Sequence, residues 1–526
     1  MASTPPGPGA AMASPRRSWS CSRLDPGAVF VGIIALAAGL RVALLGRNSL
    51  WFDEAWVVWV VQHGWRDIVP LLRAHDAHPP LYFLLMKAWV GIGGAREAAL
   101  RFPSACCGVL SVALTYALAR RVSSVRAGLL SAVIVGVSPF AVMADHEVRM
   151  YALLGTLAVG STLGLVACCE RGGVLRWGGY VLLAAGMLYT QYLGGLVILA
   201  HGIWVAGYER RHGGRWLLAM GAAAVLYIPW VPALWQQLAS GNVWPLYRQG
   251  VFLDFGDFLG LMAFGGSLFG MGSYFFPGQA GPVAQGLILL PFLVTLWRGT
   301  ASWMSDRRSL ALIGLPLAVS GVAMGAFSLA RHLVFYPRWF SFLLPFYAML
   351  LARGLEDIAG RWRGRRTEAL GLLTAGLLAL GVPVLGRYYF DPGFRPYPWR
   401  AAADLVRRQA RPGDFLLFVN GSGEIPFEYY FHEPHPSLAI RPTEAVRGAG
   451  RDPTFTDVQV RALAERYPRL WIIATPPFTP GMQERLRSRL DHAYTVVGGR
   501  NYPGIWVHLY EVRRSAPAPP KGSSAR

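Results

Sequence analysis

The sequence predicts a polytopic α-helical membrane protein with a small C-terminal α/β domain. Of its 526 residues, 53% are apolar and only 15% are charged. Apolar runs close to the ~20 residues that span a bilayer follow one another up to residue 386, and the composition becomes more polar beyond that point. A soluble chain of this length would divide into charge-rich domains of at most ~250–300 residues. The sequence therefore excludes an ordinary cytosolic enzyme.

The basic charge indicates how the chain crosses the membrane. The formal net charge is +21 and rests almost wholly on arginine, because lysine occurs only as Lys87 and Lys521. The arginines cluster in short connections between apolar runs, which is typical of cytoplasmic loops and argues against binding of nucleic acid. The five cysteines show neither a disulfide framework nor metal-ligand spacing. We expect no cofactor; the sequence allows a divalent cation but does not indicate one.

The apolar runs predict about eleven spans. Residues 1–27 are rich in Pro, Ala and Ser and are expected to form a disordered cytoplasmic tail. The first run, Ala28–Gly46, is interpreted as an uncleaved span rather than a signal peptide, since no small-residue cleavage site follows it. The other long runs lie near residues 102–119, 127–144, 150–169, 177–208 (long enough for two spans), 216–235, 283–297, 309–330, 339–352 and 369–386.

Eleven spans place the arginine clusters on the cytoplasmic side only if two segments do not cross the bilayer. These segments are the short run Leu81–Gly94, predicted to be an amphipathic helix at the outer interface, and residues 252–282. The outer side then receives three long segments, 47–100, 236–282 and 387–526. We expect the chain to lie in the cytoplasmic (inner) membrane, with its N-terminus inside the cell.

The last outer segment differs from the rest in composition. Between residues 387 and 514, short apolar strands alternate with helical stretches, the strands being Phe415–Val419, Leu470–Ala474 and Ile505–Tyr510. This alternation predicts a small extracytoplasmic α/β domain. Residues 515–526 are rich in proline and are expected to be disordered.

The first long outer loop carries ionisable residues close to the membrane. Asp53 and Glu54 follow the first span directly and are flanked by aromatic residues typical of the membrane interface. They indicate either a functional site or solvated loop charges. Farther along, the run His75-Asp76-Ala77-His78 also allows a metal-binding interpretation. A double proline then leads into the short helix that carries Lys87.

Two further polar clusters lie at predicted outer ends of spans. Residues 145–151 contain Asp145, Glu147, Arg149 and Tyr151, for which a structural ion-pair network is the alternative to a functional site. Residues 331–338 end at Arg338. Because all three clusters fall on one side of the membrane, we expect them to line one cavity.

The order of these motifs resembles that of the GT-C integral-membrane glycosyltransferases. Trp-Phe-Asp-Glu follows the first span, and His-Pro-Pro-Leu-Tyr follows in the same loop. Glu147-x-Arg149-Met-Tyr151-Ala-Leu comes after a span that contains Ser-Pro, and an Arg-aromatic-Pro segment covers residues 338–345. The branch that looks most similar contains bacterial relatives of the dolichyl-phosphate-mannose protein mannosyltransferases and of the lipid A aminoarabinose transferase. The resemblance covers residues 28–386.

The resemblance implies an enzyme that moves a sugar, with inversion, from a polyprenyl-phosphate-sugar donor to an extracytoplasmic glycan, lipid or protein. By residue match Asp53 is expected to be the general base, with Glu54 beside it. The leaving phosphate needs cations, and the candidates are Arg149, Arg338, Lys87 and His78. The candidates for contacts to the acceptor or the sugar are Asp145, Glu147 and Tyr151.

Two other classes of protein remain open at this point. A lipid or sugar transporter is also polytopic, but it favours polar residues near the bilayer midplane and repeated halves. A non-catalytic protein of cell-envelope assembly would keep the fold and lose the carboxylates. The charges here lie at the ends of spans and the carboxylates are present, so we favour the glycosyltransferase.

Overall fold

The computed structural model describes residues 25–240, 281–331, 337–391, 397–419, 423–440, 457–475 and 482–513. The expected disorder of residues 1–27 and 515–526 lies outside this part of the chain except at residues 25–27, where a helix begins at Pro26. So do residues 332–336 of the third polar cluster and all but the last two residues of the segment 252–282.

The described residues between 26 and 390 fold into helices. They are α1 (Pro26–Val42), α2 (Phe52–Gln62), α3 (Trp65–His75), α4 (Leu81–Gly93), α5 (Glu97–Val122), α6 (Val125–Val137), α7 (Pro139–Asp145), α8 (Tyr151–Arg171), α9 (Val174–Thr190), α10 (Gly194–Tyr208), α11 (Gly213–Tyr227), α12 (Val231–Ser240), α13 (Gly281–Ser302), α14 (Arg307–Arg331), α15 (Leu344–Gly360), α16 (Arg366–Ala379) and α17 (Val382–Phe390). Each predicted apolar run overlaps one of these helices. The expected helix at residues 81–94 is α4.

Several of these helices are suited to crossing a membrane. Five segments of the described chain are long and apolar enough by themselves, namely Glu97–Val122, Tyr151–Arg171, Arg210–Ala239, Arg307–Phe327 and Arg366–Phe390. A sixth crossing is formed if α6 and α7 count as one span bent by 60°. The bend falls where Ser138 caps α7 and Pro139 begins it, since proline fits the first turn of a helix and interrupts an existing one. The chain is a multi-pass membrane protein, and the number of eleven spans stays a prediction.

Close helix packing in the bundle depends on small residues, as is typical in membranes. A Cβ atom added at Gly299 of α13 would collide with the carbonyl oxygen of Leu350 in α15. One added at Gly354 of α15 would collide with the carbonyl oxygen of Thr295 in α13. These two backbones therefore touch in a way that only glycine permits.

The C-terminal part is the predicted α/β domain. Its elements are α18 (Trp399–Gln409), β1 (Phe415–Val419), α19 (Glu424–Glu428), β2 (Ser437–Ile440), α20 (Asp457–Arg466), β3 (Arg469–Ala474), α21 (Met482–Leu490), β4 (Tyr494–Tyr502) and β5 (Ile505–Val512). The strand order is β2-β1-β3-β5-β4, with β2, β1 and β3 parallel and β5 antiparallel to both β3 and β4. Side chains of α18 and α19 cover one face, and those of α20 and α21 cover the other.

The α/β domain docks onto the loop between α1 and α2. The Tyr430 hydroxyl accepts a hydrogen bond from the Leu50 N–H at 2.7 Å and lies 3.1 Å from Glu97 Oε1. Arg400 pairs with the same Glu97 carboxylate and donates to the Gly46 carbonyl at 3.2 Å. The domain and the first long loop therefore lie at the same end of the helix bundle.

Candidate active site

The start of α2 fixes the position of the first two carboxylates. The Ala55 N–H donates to the Trp51 carbonyl at 2.9 Å and begins the helix. Glu54 reaches back to accept from the Trp51 N–H at 3.3 Å, which satisfies a donor that the helix leaves unpaired. Asp53 therefore lies in the first turn, where exposed N–H groups favour a negative charge.

Glu54 is a buried structural carboxylate. Its side chain is 1% exposed and binds Arg101 with two hydrogen bonds, from Nε at 2.8 Å and from Nη2 at 2.7 Å. It also accepts from the Val148 N–H at 3.0 Å, which joins α2 to the loop before α8. With both oxygens bound, Glu54 is placed to hold the loop and not to accept a proton from a substrate.

Asp53 faces a different way and is partly exposed. Its Oδ2 accepts from Arg338 Nη2 at 3.0 Å, and its side chain is 22% exposed. The Arg338 guanidinium lies over the Trp51 ring, 4.4 Å from the ring centroid. The Asp53 carbonyl also lies 3.5 Å from Arg149 Nη1. Of the two adjacent carboxylates, Asp53 is thus the one that solvent and a ligand can reach.

Arg149 is the most deeply enclosed cation of this group. It is 5% exposed, and its Nε has no hydrogen-bond partner among the described residues. Its Nη2 lies 3.5 Å from Nε2 of His78. An arginine that is desolvated and incompletely bonded is unusual, because buried charges are normally paired and fully hydrogen-bonded. This guanidinium therefore has unused donor capacity toward an anion.

His78 is held by a buried carboxylate. Its Nδ1 donates to Asp76 Oδ1 at 2.6 Å, which leaves Nε2 as an acceptor facing Arg149. Asp76 also accepts from the indole of Trp56 and from the His78 N–H. Burial by itself raises the pKa of Asp76, but His78 and Arg149 outweigh burial and hold it at about 2. Asp76 is therefore a permanent anion that orients His78.

Glu147, in the loop between α7 and α8, belongs to the same group of charged residues, which we call the Asp53 cluster. The other members of this cluster are Asp53, Arg149, Arg338 and His78. The Glu147 Oε2 is enclosed and has no hydrogen-bond partner in the described part of the chain. Burial raises the pKa of Glu147 to about 7, and the nearby Arg338 opposes this rise only in part. Tyr151 is 1% exposed and lies beside Arg149, whose guanidinium carbon is 5.9 Å from the centroid of the tyrosine ring.

Two predicted site residues lie elsewhere. Asp145 is buried at the end of α7, where Arg41 of α1 binds it at 2.8 Å, so it ties helices together and does not face the cluster. Lys87 donates to the His63 carbonyl at 2.7 Å. His63 follows the end of α2, ~15 Å along the helix from Asp53 at 1.5 Å per residue. Both residues thus have partners outside the Asp53 cluster, and these contacts do not favour the predicted roles of Asp145 toward the sugar or acceptor and of Lys87 toward the phosphate.

Three important residues were not among the predicted site residues. Arg41 and Arg101 lie within or next to apolar runs, where a charge marks a structural or functional contact by default, so a search for charges inside spans would have found them. Asp76 was read only as part of a metal-like motif. Its partnership with His78 and Trp56 depends on the fold and leaves no signal in the sequence.

A group with metal-ligand geometry occurs at the other end of α8. Ligand atoms of Cys169, Glu209 and His212 lie within 4.8 Å of one another. Glu209 is also paired with Arg308 at 2.8 Å, so that carboxylate already has a cationic partner. Cys169 is ~27 Å along α8 from Tyr151. This group is separate from the Asp53 cluster.

Known proteins share features with this chain. A family model for dolichyl-phosphate-mannose-protein mannosyltransferase matches residues 77–235. No curated protein matches the chain in sequence. The solved structure of ArnT from Cupriavidus metallidurans in the apo state is similar with a TM-score of 0.59 and 13% identity, covering 92% of this chain and 97% of that one. The same protein bound to undecaprenyl phosphate gives a TM-score of 0.56 and 14% identity, with 91% and 97% covered.

The Archaeoglobus fulgidus oligosaccharyltransferase in the apo form is also similar, with a TM-score of 0.56 and 11% identity over 93% of this chain and 74% of that one. At these identities the likeness concerns the fold. The family model covers the loop with His78, the loop with Glu147 and the helices between and after them. The chain is a multi-pass membrane protein with the GT-C fold, and its resemblance to the GT-C glycosyltransferases is confirmed.

Proposed function

We propose that this chain is a membrane glycosyltransferase that moves a sugar from a polyprenyl-phosphate-sugar donor to an extracytoplasmic acceptor, with inversion. One observation carries the proposal. A partly exposed carboxylate, Asp53, shares a cluster with two arginines, of which Arg149 is buried and incompletely bonded. That combination supplies a base for the acceptor and cations for a phosphate leaving group.

The donor phosphate is assigned to Arg149 and Arg338, with His78 beside Arg149. A guanidinium offers parallel N–H donors that match phosphate oxygens. Arg149 lies beside the His78–Asp76 pair, and its enclosed Nε has no hydrogen-bond partner among the described residues, so it has donor capacity left for a phosphate oxygen once the site opens to admit one. The undecaprenyl phosphate bound to the similar ArnT structure supports a lipid phosphate as the ligand class.

The pairing of Asp53 with Arg338 suggests how the base becomes active. The Arg338 Nη2 binds the Asp53 Oδ2 at 3.0 Å. A bound phosphate competes for Arg338 and so frees this carboxylate oxygen to accept a hydrogen bond from the acceptor hydroxyl. Asp53 then takes the proton of the acceptor hydroxyl as that oxygen attacks the anomeric carbon, and the phosphate leaves with the bonding electrons.

The remaining residues receive supporting roles. Glu54 and Arg101 hold the loop that carries Asp53. Glu147 and Tyr151 are proposed to contact the sugar or the acceptor, because Glu147 presents a carboxyl oxygen with unused bonding capacity beside Asp53 and Arg149. We further propose that the site and the α/β domain lie outside the cytoplasmic membrane, since the arginine clusters of the short connections belong on the inner side.

A transfer assay tests the function. Purified protein in liposomes receives a polyprenyl phosphate carrying radiolabelled mannose or aminoarabinose, together with an envelope extract as acceptor. We expect label to move from the lipid to the acceptor with the wild type and with Asp67→Asn, an exposed aspartate of the same loop, and to stay on the lipid with Asp53→Asn. Label that crosses the bilayer while still on its lipid would indicate a transporter, and equal transfer by both variants would remove Asp53 from the chemistry.

A further inference from the structure

A cavity in the α/β domain lies far from the Asp53 cluster and has no role in the chemistry above. Its volume is about 290 Å³. It is lined by Val419 and Ala474, the last residues of β1 and β3. Its other lining residues are Ile472 of β3 and residues of β5, β4 and α21. The cavity therefore lies against one face of the sheet and reaches the carboxyl ends of two adjacent parallel strands.

Strand order makes this position a place where ligands bind. β1 lies between β2 and β3 in the sheet. The connection from β1 leads to one side of β1, and the chain later returns to add β3 on the other side, so the strand order reverses between β1 and β3. In open α/β sheets, ligands bind in the crevice outside the carboxyl ends of the strands at such a switch point. The cavity reaches this switch point at Val419 and Ala474.

The lining of the cavity combines aromatic rings with neutral polar groups. Trp506 and Tyr510 contribute rings from β5, and His508 lies between them along the strand. The His508 Nε2 and the Asn501 Oδ1 are 2.8 Å apart. Glu484 and Arg487 add one charge of each sign from α21, so the cavity has no net preference for an anion or a cation.

These features describe a site for a single sugar ring. Aromatic rings pack against the C–H faces of a sugar, and amide, imidazole, carboxylate and guanidinium groups are the hydrogen-bonding partners of its hydroxyls. The volume is at the small end of the ~300–1,000 Å³ typical of ligand pockets, which suits one ring and excludes a lipid tail. The balanced charge favours a neutral sugar.

We propose that this cavity binds a neutral hexose unit of the acceptor glycan and so holds the acceptor to the enzyme. That the bound unit belongs to the acceptor rests on the function proposed above. The cavity lies on the sheet face covered by α21, whereas α19 on the opposite face packs against α2 of the bundle. The sugar held here is therefore a distant unit of a longer chain and not the one that reacts.

The test uses the full chain in lipid nanodiscs, without donor. Methyl α-glycosides of mannose, glucose and galactose are titrated and observed by saturation-transfer NMR. The variants are Asn501→Ala and Trp506→Ala in the cavity, with Arg500→Ala as the matched control. Arg500 neighbours Asn501 in β4, but successive side chains of a strand point to opposite faces.

We expect at least one glycoside to bind the wild type, and to bind Asn501→Ala and Trp506→Ala at least tenfold more weakly. Arg500→Ala and Asp53→Asn should bind it as the wild type does. Asn501 is exposed, so its truncation keeps the test valid if Trp506→Ala does not fold. The proposal is overturned if none of the three glycosides binds, or if binding is unchanged in Asn501→Ala. Because no donor is present, failure of the transferase activity would leave this result unaffected.

Discussion

The Arg101–Glu54 pair should be the electrostatic contact on which the Asp53 loop depends most. Arg101 is 4% exposed and binds Glu54 through two nitrogens. It also donates to the carbonyls of Leu45, Asn48 and Ser49, at 3.0, 2.9 and 3.2 Å. Arg101→Ala removes all these contacts and leaves the Glu54 carboxylate buried without its charge partner.

The size of the effect follows from burial. Removing one partner of a buried ion pair costs about 3–5 kcal/mol, because the other charge stays desolvated. The chain offers a matched control in Arg121, which binds Glu170 in a similar way but with side chains 25% and 40% exposed. An exposed pair is worth about 0–1 kcal/mol, so Arg121→Ala should be nearly silent.

The two variants are compared by unfolding in mixed micelles with increasing SDS, followed by tryptophan fluorescence, and by initial rates of sugar transfer. Arg101→Ala should lose at least 3 kcal/mol of unfolding free energy, by the magnitude above, and nearly all activity, whereas Arg121→Ala should retain both. Equal losses of stability in the two variants would refute the claim that burial makes the first pair special.

Three further predictions concern the same end of the molecule. Burial raises the folded pKa of Glu147 to about 7 from 4.5, so the wild type loses stability as pH rises between these values. Glu147→Gln should therefore match the wild type in stability near pH 4 and exceed it at pH 8 by up to on the order of 3 kcal/mol. Stability curves that stay parallel from pH 4 to pH 8 would contradict this. Arg149→Ala and Arg338→Ala should each weaken binding of a fluorescent polyprenyl phosphate by about 1.5–3 kcal/mol. Lys87→Ala should leave this binding unchanged, because the Lys87 ammonium binds the His63 carbonyl. A loss of binding confined to Lys87→Ala would reverse the assignment. Tyr430→Phe removes the acceptor of the buried Leu50 N–H and should lower kcat more than it raises KM, while Tyr502→Phe, whose hydroxyl bonds within the α/β domain, should change neither.

The helices and the α/β domain could be predicted from the sequence because the patterns that indicate them extend over many residues. Apolar runs of nearly bilayer length predicted the helices, and the alternation of strands and helices after residue 386 predicted the α/β domain. Asp53 lies 3.0 Å from Arg338, and its carbonyl lies 3.5 Å from Arg149, although the three residues are far apart in sequence. Their expected position at outer ends of spans is the sequence pattern that singled them out.

The exact partners of each charge could not be predicted, since they depend on how helices pack. Asp145 and Glu147 belong to the same polar cluster in the sequence, yet Arg41 of α1 binds Asp145 within the bundle. Lys87 stood out because lysine is so rare in this chain, but its ammonium satisfies a carbonyl at the end of α2. Rarity of a residue type indicated a special role without indicating which one.

The central claim is that Asp53 acts on the acceptor while the arginines hold the donor, and one measurement separates these roles. Turnover and donor dissociation constant are determined for Asp53→Asn and for Asp67→Asn in the same liposomes. We predict that Asp53→Asn lowers kcat by about 10²–10⁴-fold, as expected for loss of a general base, with a donor Kd no weaker than that of Asp67→Asn. A kcat within about tenfold of the wild type, less than general acid–base catalysis usually supplies, or a donor Kd that weakens in parallel with kcat, would contradict the account.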